Sequence, residues 1–310
     1  MIKKLQLVKI LLKIRLKFKM NIYNYRKHRR SSLNYRVSSR IVGLFSIFSQ
    51  LPPGIKSKKI RINGIEGEWI YRDEIDRSKV IVYFHGGGYT HGTEKKYRLI
   101  IGEMVKETGI NTFMFDYRLA PEHPYPAAFE DAVKAYDFLV KEGVQGRDMI
   151  FMGDSAGGGL ALALSLYLKD KGRELPGKIL AMSPWTDLAG TGESIRKNEK
   201  TELFVPEKLL NEYSRGYVGR DNPRNPYISP LYGNLEGLPD TYINVGSHET
   251  LLDDSTRMHE KLIESGVNST LSIGEGLFHC YPLWALALEE SLEEFRRMQR
   301  FILELEHYFP

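Results

Sequence analysis

Ile150-Phe151-Met152-Gly153-Asp154-Ser155-Ala156-Gly157-Gly158-Gly159 is followed by the run LALALSLYLK. The apolar start reads as the end of a buried strand and the run as a helix, so a single serine stands on the turn between them. Gly153 and Gly157 carry no Cβ, which lets the backbone segments of a sharp turn approach closely. The spacing Gly153-x-Ser155-x-Gly157 is the nucleophile-elbow pattern, in which a strained turn holds the serine hydroxyl out toward a substrate carbonyl. The first N–H groups of the following helix favour negative charge developing there. A capping serine in a glycine-rich turn would look the same locally. The reading therefore depends on whether the chain supplies a base, an acid and an oxyanion site.

Around the elbow, strands and helices alternate. Lys59–Tyr71 holds two short alternating segments that fit an antiparallel hairpin. KVIVYFHGG, INTFMFDY, MIFMG, KILAMSPW, DTYINV (Asp240–Val245) and STLSIGEG read as strands. Tyr97–Glu107, Ala128–Lys141, Gly159–Lys169, Asp253–Ser265 and Ala285–Tyr308 read as helices. Such β–α repetition predicts an α/β fold with a mostly parallel central sheet, helices on both faces, and ligands at the carboxyl ends of the strands. Gly190–Tyr227 is too long for a plain connection and carries Pro206, Pro223 and Pro226. We read it as an inserted helical cap.

Each candidate functional motif follows one of these strands. His85-Gly86-Gly87-Gly88-Tyr89 leaves backbone N–H groups uncovered, and the N–H groups of Gly86, Gly87 and Ala156 are the expected oxyanion donors. A phosphate-binding loop would add Lys-Ser/Thr, which this one lacks. A serine hydroxyl needs a base to take its proton, and histidine suits that task near neutral pH. Of the eight histidines, His279 follows the last strand and completes the order serine, acid, histidine. His85 is expected to brace the glycine loop. The acid must orient the imidazole. Glu249, in Val245-Gly246-Ser247-His248-Glu249, is the first carboxylate beyond its strand, with Asp253 the next candidate and Asp254, Asp240 and Asp187 further ones. Tyr89 and Trp185 stand at the same edge and are expected to line the acyl pocket, with core packing the alternative for Trp185.

The chain resembles the hormone-sensitive-lipase-like carboxylesterases of the α/β-hydrolase fold. The resemblance runs from about Lys79 to about Pro282. It rests on HGGGY (His85–Tyr89), DYRLAPEHPYPAA (Asp116–Ala128), GDSAGG (Gly153–Gly158), SPWTDL (Ser183–Leu188), GSHETLLDD (Gly246–Asp254) and FH (Phe278–His279). It implies a serine esterase with Ser155, Glu249 and His279 as triad, and a cap formed by the N-terminal region and the insertion after SPW. Many members carry aspartate where this chain has Glu249; glutamate also serves as a triad acid. Asp154 and Asp116-Tyr117-Arg118 are implied to brace the elbow and its neighbouring loops.

A chain of 310 residues with 42% hydrophobic and 27% charged residues is ordinary for a globular protein. Its single cysteine, Cys280, excludes an internal disulfide framework and a multi-cysteine metal site. No metal or organic cofactor is expected. The net charge of +5 conceals an asymmetry: residues 1–65 hold 17 Lys and Arg and no acid, while the remainder holds 27 basic and 39 acidic residues. The acidic body and the absence of a recognised module argue against a nucleic-acid partner. The opening MIKKLQLVKILLKIRLKFKM is broken by lysines, so it is expected to be neither a signal peptide nor a spanning helix. We read 1–55 as a basic arm belonging to the cap, with peripheral contact of residues 1–30 to an anionic membrane as the rival fate, and 56–310 as the catalytic domain. The expectation is a cytoplasmic esterase, at most peripheral at the membrane, acting on short- to medium-chain acyl esters. A membrane-surface lipase, a deacetylase or amidase with the same triad, and a non-catalytic receptor are the alternatives. Oligomeric state is left open.

Overall fold

The computed structural model describes residues 50–304. The basic arm and its two fates lie outside the described residues, apart from its last few positions.

Eight strands form one sheet: β1 (Lys56–Ile62), β2 (Ile65–Tyr71), β3 (Val80–Phe84), β4 (Asn111–Asp116), β5 (Met149–Asp154), β6 (Lys178–Met182), β7 (Asp240–Gly246) and β8 (Ser269–Gly274). Their spatial order is β1-β2-β4-β3-β5-β6-β7-β8. The hairpin β1–β2 is antiparallel and joins β4 antiparallel; every other pairing is parallel. The central strand β3, VIVYF, is buried along its whole length, as a strand covered on both faces must be. Its residues alternate between cores, because successive side chains point to opposite faces. Val80, Val82 and Phe84 join one core; Ile81 and Tyr83 join the other.

The helices are α1 (Arg98–Thr108), α2 (Ala127–Lys141), α3 (Ala156–Asp170), α4 (Ser194–Lys197), α5 (Glu207–Val218), α6 (Leu252–Glu264) and α7 (Glu289–Leu303). Ala128, Ala132 and Leu139 of α2 share the first core with Leu160, Leu164 and Leu168 of α3. Ile101, Met104 and Val105 of α1 share the second with Phe295, Met298 and Ile302 of α7. The expected helix-on-both-faces α/β architecture is therefore present.

Two helix starts differ from expectation by three residues or more. The helix after the elbow starts at Ala156 rather than Gly159, so Gly157 and Gly158 belong to its first turn. The last helix starts at Glu289 rather than Ala285, because Tyr281–Trp284 forms a 3₁₀ turn with a proline in its first positions. The Gly190–Tyr227 stretch contains α4 and α5.

The register decides where the site can be. Phe84 pairs with Gly153, Asp154 with Met182, Met182 with Asn244, and Gly246 with Gly274. The carboxyl ends of β3, β5, β6, β7 and β8 thus share one edge, where a doubly wound sheet binds ligands.

Candidate active site

Ser155 caps β5 with φ 53° and ψ −122°, a conformation that non-glycine residues rarely adopt and that the surroundings must hold. They do so by backbone hydrogen bonds. Ser155 N–H donates to the Met182 carbonyl (2.8 Å), and the Ser155 carbonyl accepts from Trp185 N–H (3.0 Å) and Gly159 N–H (3.1 Å). Glycines are needed where the elbow is tightest: a Cβ on Gly157 would stand 2.0 Å from the Phe84 carbonyl oxygen, and one on Gly159 2.2 Å from that of Trp185.

The Phe84 contact brings the glycine loop directly against the elbow. Asp154 bolts the two together. Its Oδ1 accepts from Gly86 N–H (2.8 Å) and Tyr83 O–H (2.7 Å), and its Oδ2 accepts from Tyr97 O–H (3.1 Å). Burial pushes the Asp154 carboxyl up, and these donors oppose it. The arrangement corrects one expectation. Gly86 N–H is already donated into Asp154, and it also approaches the Tyr97 hydroxyl (3.1 Å), so it cannot point at an oxyanion. The N–H groups of Gly87 and Gly88 make no hydrogen bond among the described residues. Both glycines have positive φ, 121° and 60°. Ala156 N–H opens α3, where the first N–H groups have no intrahelical partner.

Glu249 and His279 come together from the loops after β7 and β8. His279 Nδ1 lies 2.7 Å from Glu249 Oε2. Glu249 is fully buried. Its other oxygen, Oε1, accepts from Ser183 O–H (2.7 Å) and Gly246 N–H (2.5 Å). Burial alone would pull the His279 imidazolium down; the Cys280 sulfur and the Glu249 carboxylate act against it, and the net direction is upward. Burial also pushes the Cys280 thiol up to about 11. The thiol is thus neutral near pH 7, and the carboxylate is the charge that holds His279.

The alternative acids are engaged elsewhere. Asp253 Oδ2 accepts from Ser194 N–H (2.9 Å). Asp254 Oδ1 accepts from Thr186 and Asp187 N–H (2.8 Å each). Asp187 is bound to Thr191, Tyr232 and Arg257, and Asp240 accepts from Asn268 (3.1 Å). His85 braces the glycine loop: its ring stacks on Tyr117 at 4.0 Å, and its carbonyl accepts from Tyr117 O–H (2.6 Å). Arg118 is committed to Asp131 and Glu130.

Tyr89 and Trp185 are not side chains open to a ligand. They are 1% and 2% exposed and lie in the same core. Tyr89 stacks on Tyr217 of α5 at 3.7 Å, and its backbone has φ 60°. The acyl-pocket expectation gives way to packing, because neither ring keeps surface to offer. Sequence reasoning missed Tyr83, Tyr97 and Ser183, whose partners lie 57–97 residues away in the chain.

The insertion closes over this edge. Tyr213 of α5 contacts Gly88, with a Cβ there standing 2.3 Å from its ring. Asn198 Nδ2 donates to the carbonyls of Ser247 (3.0 Å) and Glu249 (2.8 Å), and Glu202 Oε2 accepts from Thr250 N–H (3.0 Å).

A family model described as alpha/beta hydrolase fold matches residues 81–283. An esterase of Acinetobacter venetianus is 33% identical over 82% of this chain and 84% of its own length. An acetyl-hydrolase of Streptomyces hygroscopicus is 33% identical over 78% and 79%. A crystal structure of an esterase from the bacterial hormone-sensitive lipase family superposes with a TM-score of 0.83 at 31% identity, covering 94% of this chain and 98% of that one.

Proposed function

The chain belongs to the alpha/beta hydrolase fold family, among its hormone-sensitive-lipase-like carboxylesterases, and is an esterase; from that premise we propose its mechanism and substrate class. His279 takes the proton of Ser155 as its oxygen attacks the ester carbonyl. The N–H groups of Gly87, Gly88 and Ala156 hold the oxyanion. His279 passes its proton to the leaving alcohol, which departs and leaves an acyl-serine. Water then gives a proton to His279 and attacks the acyl carbonyl, and the acid leaves as that proton returns to Ser155. Glu249 keeps His279 in the right tautomer and stabilises it while charged.

The observation that carries this reading is the 2.7 Å pair of His279 Nδ1 and the buried Glu249, on the same sheet edge as the strained Ser155. We read residues 56–310 as the catalytic domain and Gly190–Tyr227 as a cap inserted in it. Short- to medium-chain acyl esters are the proposed substrates. The packing of α5 on the glycine loop, which narrows the approach, and the likeness to an acetyl-hydrolase support that choice.

The test is hydrolysis of p-nitrophenyl esters from acetate to palmitate by the wild type, Ser155→Ala and Glu249→Ala. Short chains should be cleaved best. Ser155→Ala should lower kcat by at least about 10⁴-fold and Glu249→Ala by about 10²–10⁴-fold. Hydrolysis confined to long-chain emulsions would overturn the substrate class, and full activity of Glu249→Ala would overturn the triad.

A further inference from the structure

Ser183 directly follows β6, between the two loops that carry Glu249 and His279, and both loops use it. It is fully buried. Its hydroxyl donates to Glu249 Oε1 (2.7 Å) and accepts from Cys280 N–H (3.0 Å). A serine hydroxyl has one proton and free lone pairs, and an ionised carboxylate only accepts, so the direction of both bonds follows. One side-chain oxygen therefore joins the acid loop to the residue after the base. The backbone here extends the connection: Ser183 N–H donates to the Asn244 carbonyl (2.7 Å) on β7, and the neighbouring Met182 carbonyl accepts from Ser155 N–H (2.8 Å).

The backbone of Ser183 sits at φ 44°, in the left-handed region that glycine enters freely and other residues uncommonly. Glycine would fill this position without strain, but it would leave Glu249 Oε1 with Gly246 N–H alone and Cys280 N–H without this acceptor. We propose that Ser183 is a positioning residue of the esterase reaction. Its hydroxyl sets the rotation of the Glu249 carboxylate, so that Oε2 meets His279 Nδ1, and holds the His279 loop against the elbow. The proposal rests on the Ser155–His279–Glu249 reading.

The experiment compares Ser183→Gly and Ser183→Ala with the wild type and Glu249→Ala on p-nitrophenyl acetate across the pH range. Active sites are counted with a fluorophosphonate that labels the nucleophilic serine, so inactive protein does not enter kcat. Glycine removes the backbone strain, which keeps folding from deciding the result. Both Ser183 variants should lose about 10- to 100-fold in kcat, as for a hydrogen bond to a buried charge, with KM within about twofold. The acid limb of kcat/KM should move to higher pH. The groups acting on His279 are Glu249 and the neutral Cys280 thiol, and a carboxylate relieved of one donor holds the imidazolium more strongly. Wild-type kcat and an unmoved acid limb in Ser183→Gly, while Glu249→Ala is inactive, would overturn the proposal and leave the triad standing. Full activity of Glu249→Ala would overturn the triad reading itself.

Discussion

Single residues at this edge act by closing distances that a side chain or an unpaired donor would open. Asp154 is the plainest case. It lies between the elbow glycine and the nucleophile, yet its carboxylate serves the other loop, taking Gly86 N–H and two tyrosine hydroxyls. In the proposed mechanism, by holding Gly86 it positions the two glycine N–H groups that follow. Asp154→Ala is expected to lower kcat by at least about 10-fold with little change in KM, since a displaced oxyanion donor is worth about 10²–10³. Asp154→Asn keeps an acceptor at Oδ1 and should retain most of the activity. Steady-state kinetics on p-nitrophenyl acetate reads both; equal loss in the two variants would assign the role to charge rather than to the strut.

Elements owe their places to a few buried polar joints as well as to apolar packing. Helix α1 is pinned to β2 by Arg98, whose Nε and Nη2 reach the two oxygens of Glu68 at 2.9 and 2.6 Å. Glu68 is fully buried, and Arg98 is 19% exposed at the side chain. Cutting one partner of such a pair leaves a charge buried alone. Arg98→Met should destabilise the fold by about 3 kcal/mol, and adding Glu68→Gln should recover a large part of that loss. Denaturant unfolding of the single and double variants measures it. The insertion shows the same logic. Asn198 and Glu202 grip the acid loop while Tyr213 and Tyr217 of α5 grip the glycine loop, so one segment bears on both sides of the site. The glycines of the first turn of α3 predict a loop, and the turn is helical from Ala156. They are glycines because the turn is crowded: a Cβ on Gly157 would stand 2.0 Å from the Phe84 carbonyl oxygen and one on Gly158 3.1 Å from the Pro184 Cβ.

At the scale of the molecule, the buried Asp187–Asp254 pair ties the segment after β6 to α6. Arg257 Nη1 compensates Asp187 (3.1 Å). Burial and the neighbouring Asp187 push the Asp254 carboxyl up from 3.8 to about 8. Its Oδ2, the oxygen without a partner, is where the proton belongs. A raised acid holds its proton in the folded state while the unfolded chain has released it, so stability falls as pH rises from about 4 toward 8. Asp254→Asn removes this dependence. Its stability relative to the wild type should grow by up to about 4 kcal/mol between pH 5 and pH 8. Thermal or denaturant unfolding at both pH values tests this, and a constant difference would refute it. Among the described residues no helix is long and apolar enough to cross a membrane.

Much of this protein was legible in its sequence because the relevant signals are local. Strand periodicity, the Gly153-x-Ser155-x-Gly157 turn and the HGGG run are carried by neighbouring residues, and they led to the sheet and the fold family; the chain order of the acid and the base led to the Glu249–His279 pair. Only the tertiary structure decided which glycine N–H groups remain free, that Tyr89 and Trp185 turn inward, and that Ser183 joins two loops. Each of these depends on a partner far away in the chain: Gly86 loses its donor to a carboxylate 68 residues on, and Ser183 meets Cys280 97 residues on. A hydrogen bond spends its proton once, and which acceptor receives it is settled by packing rather than by spacing along the chain.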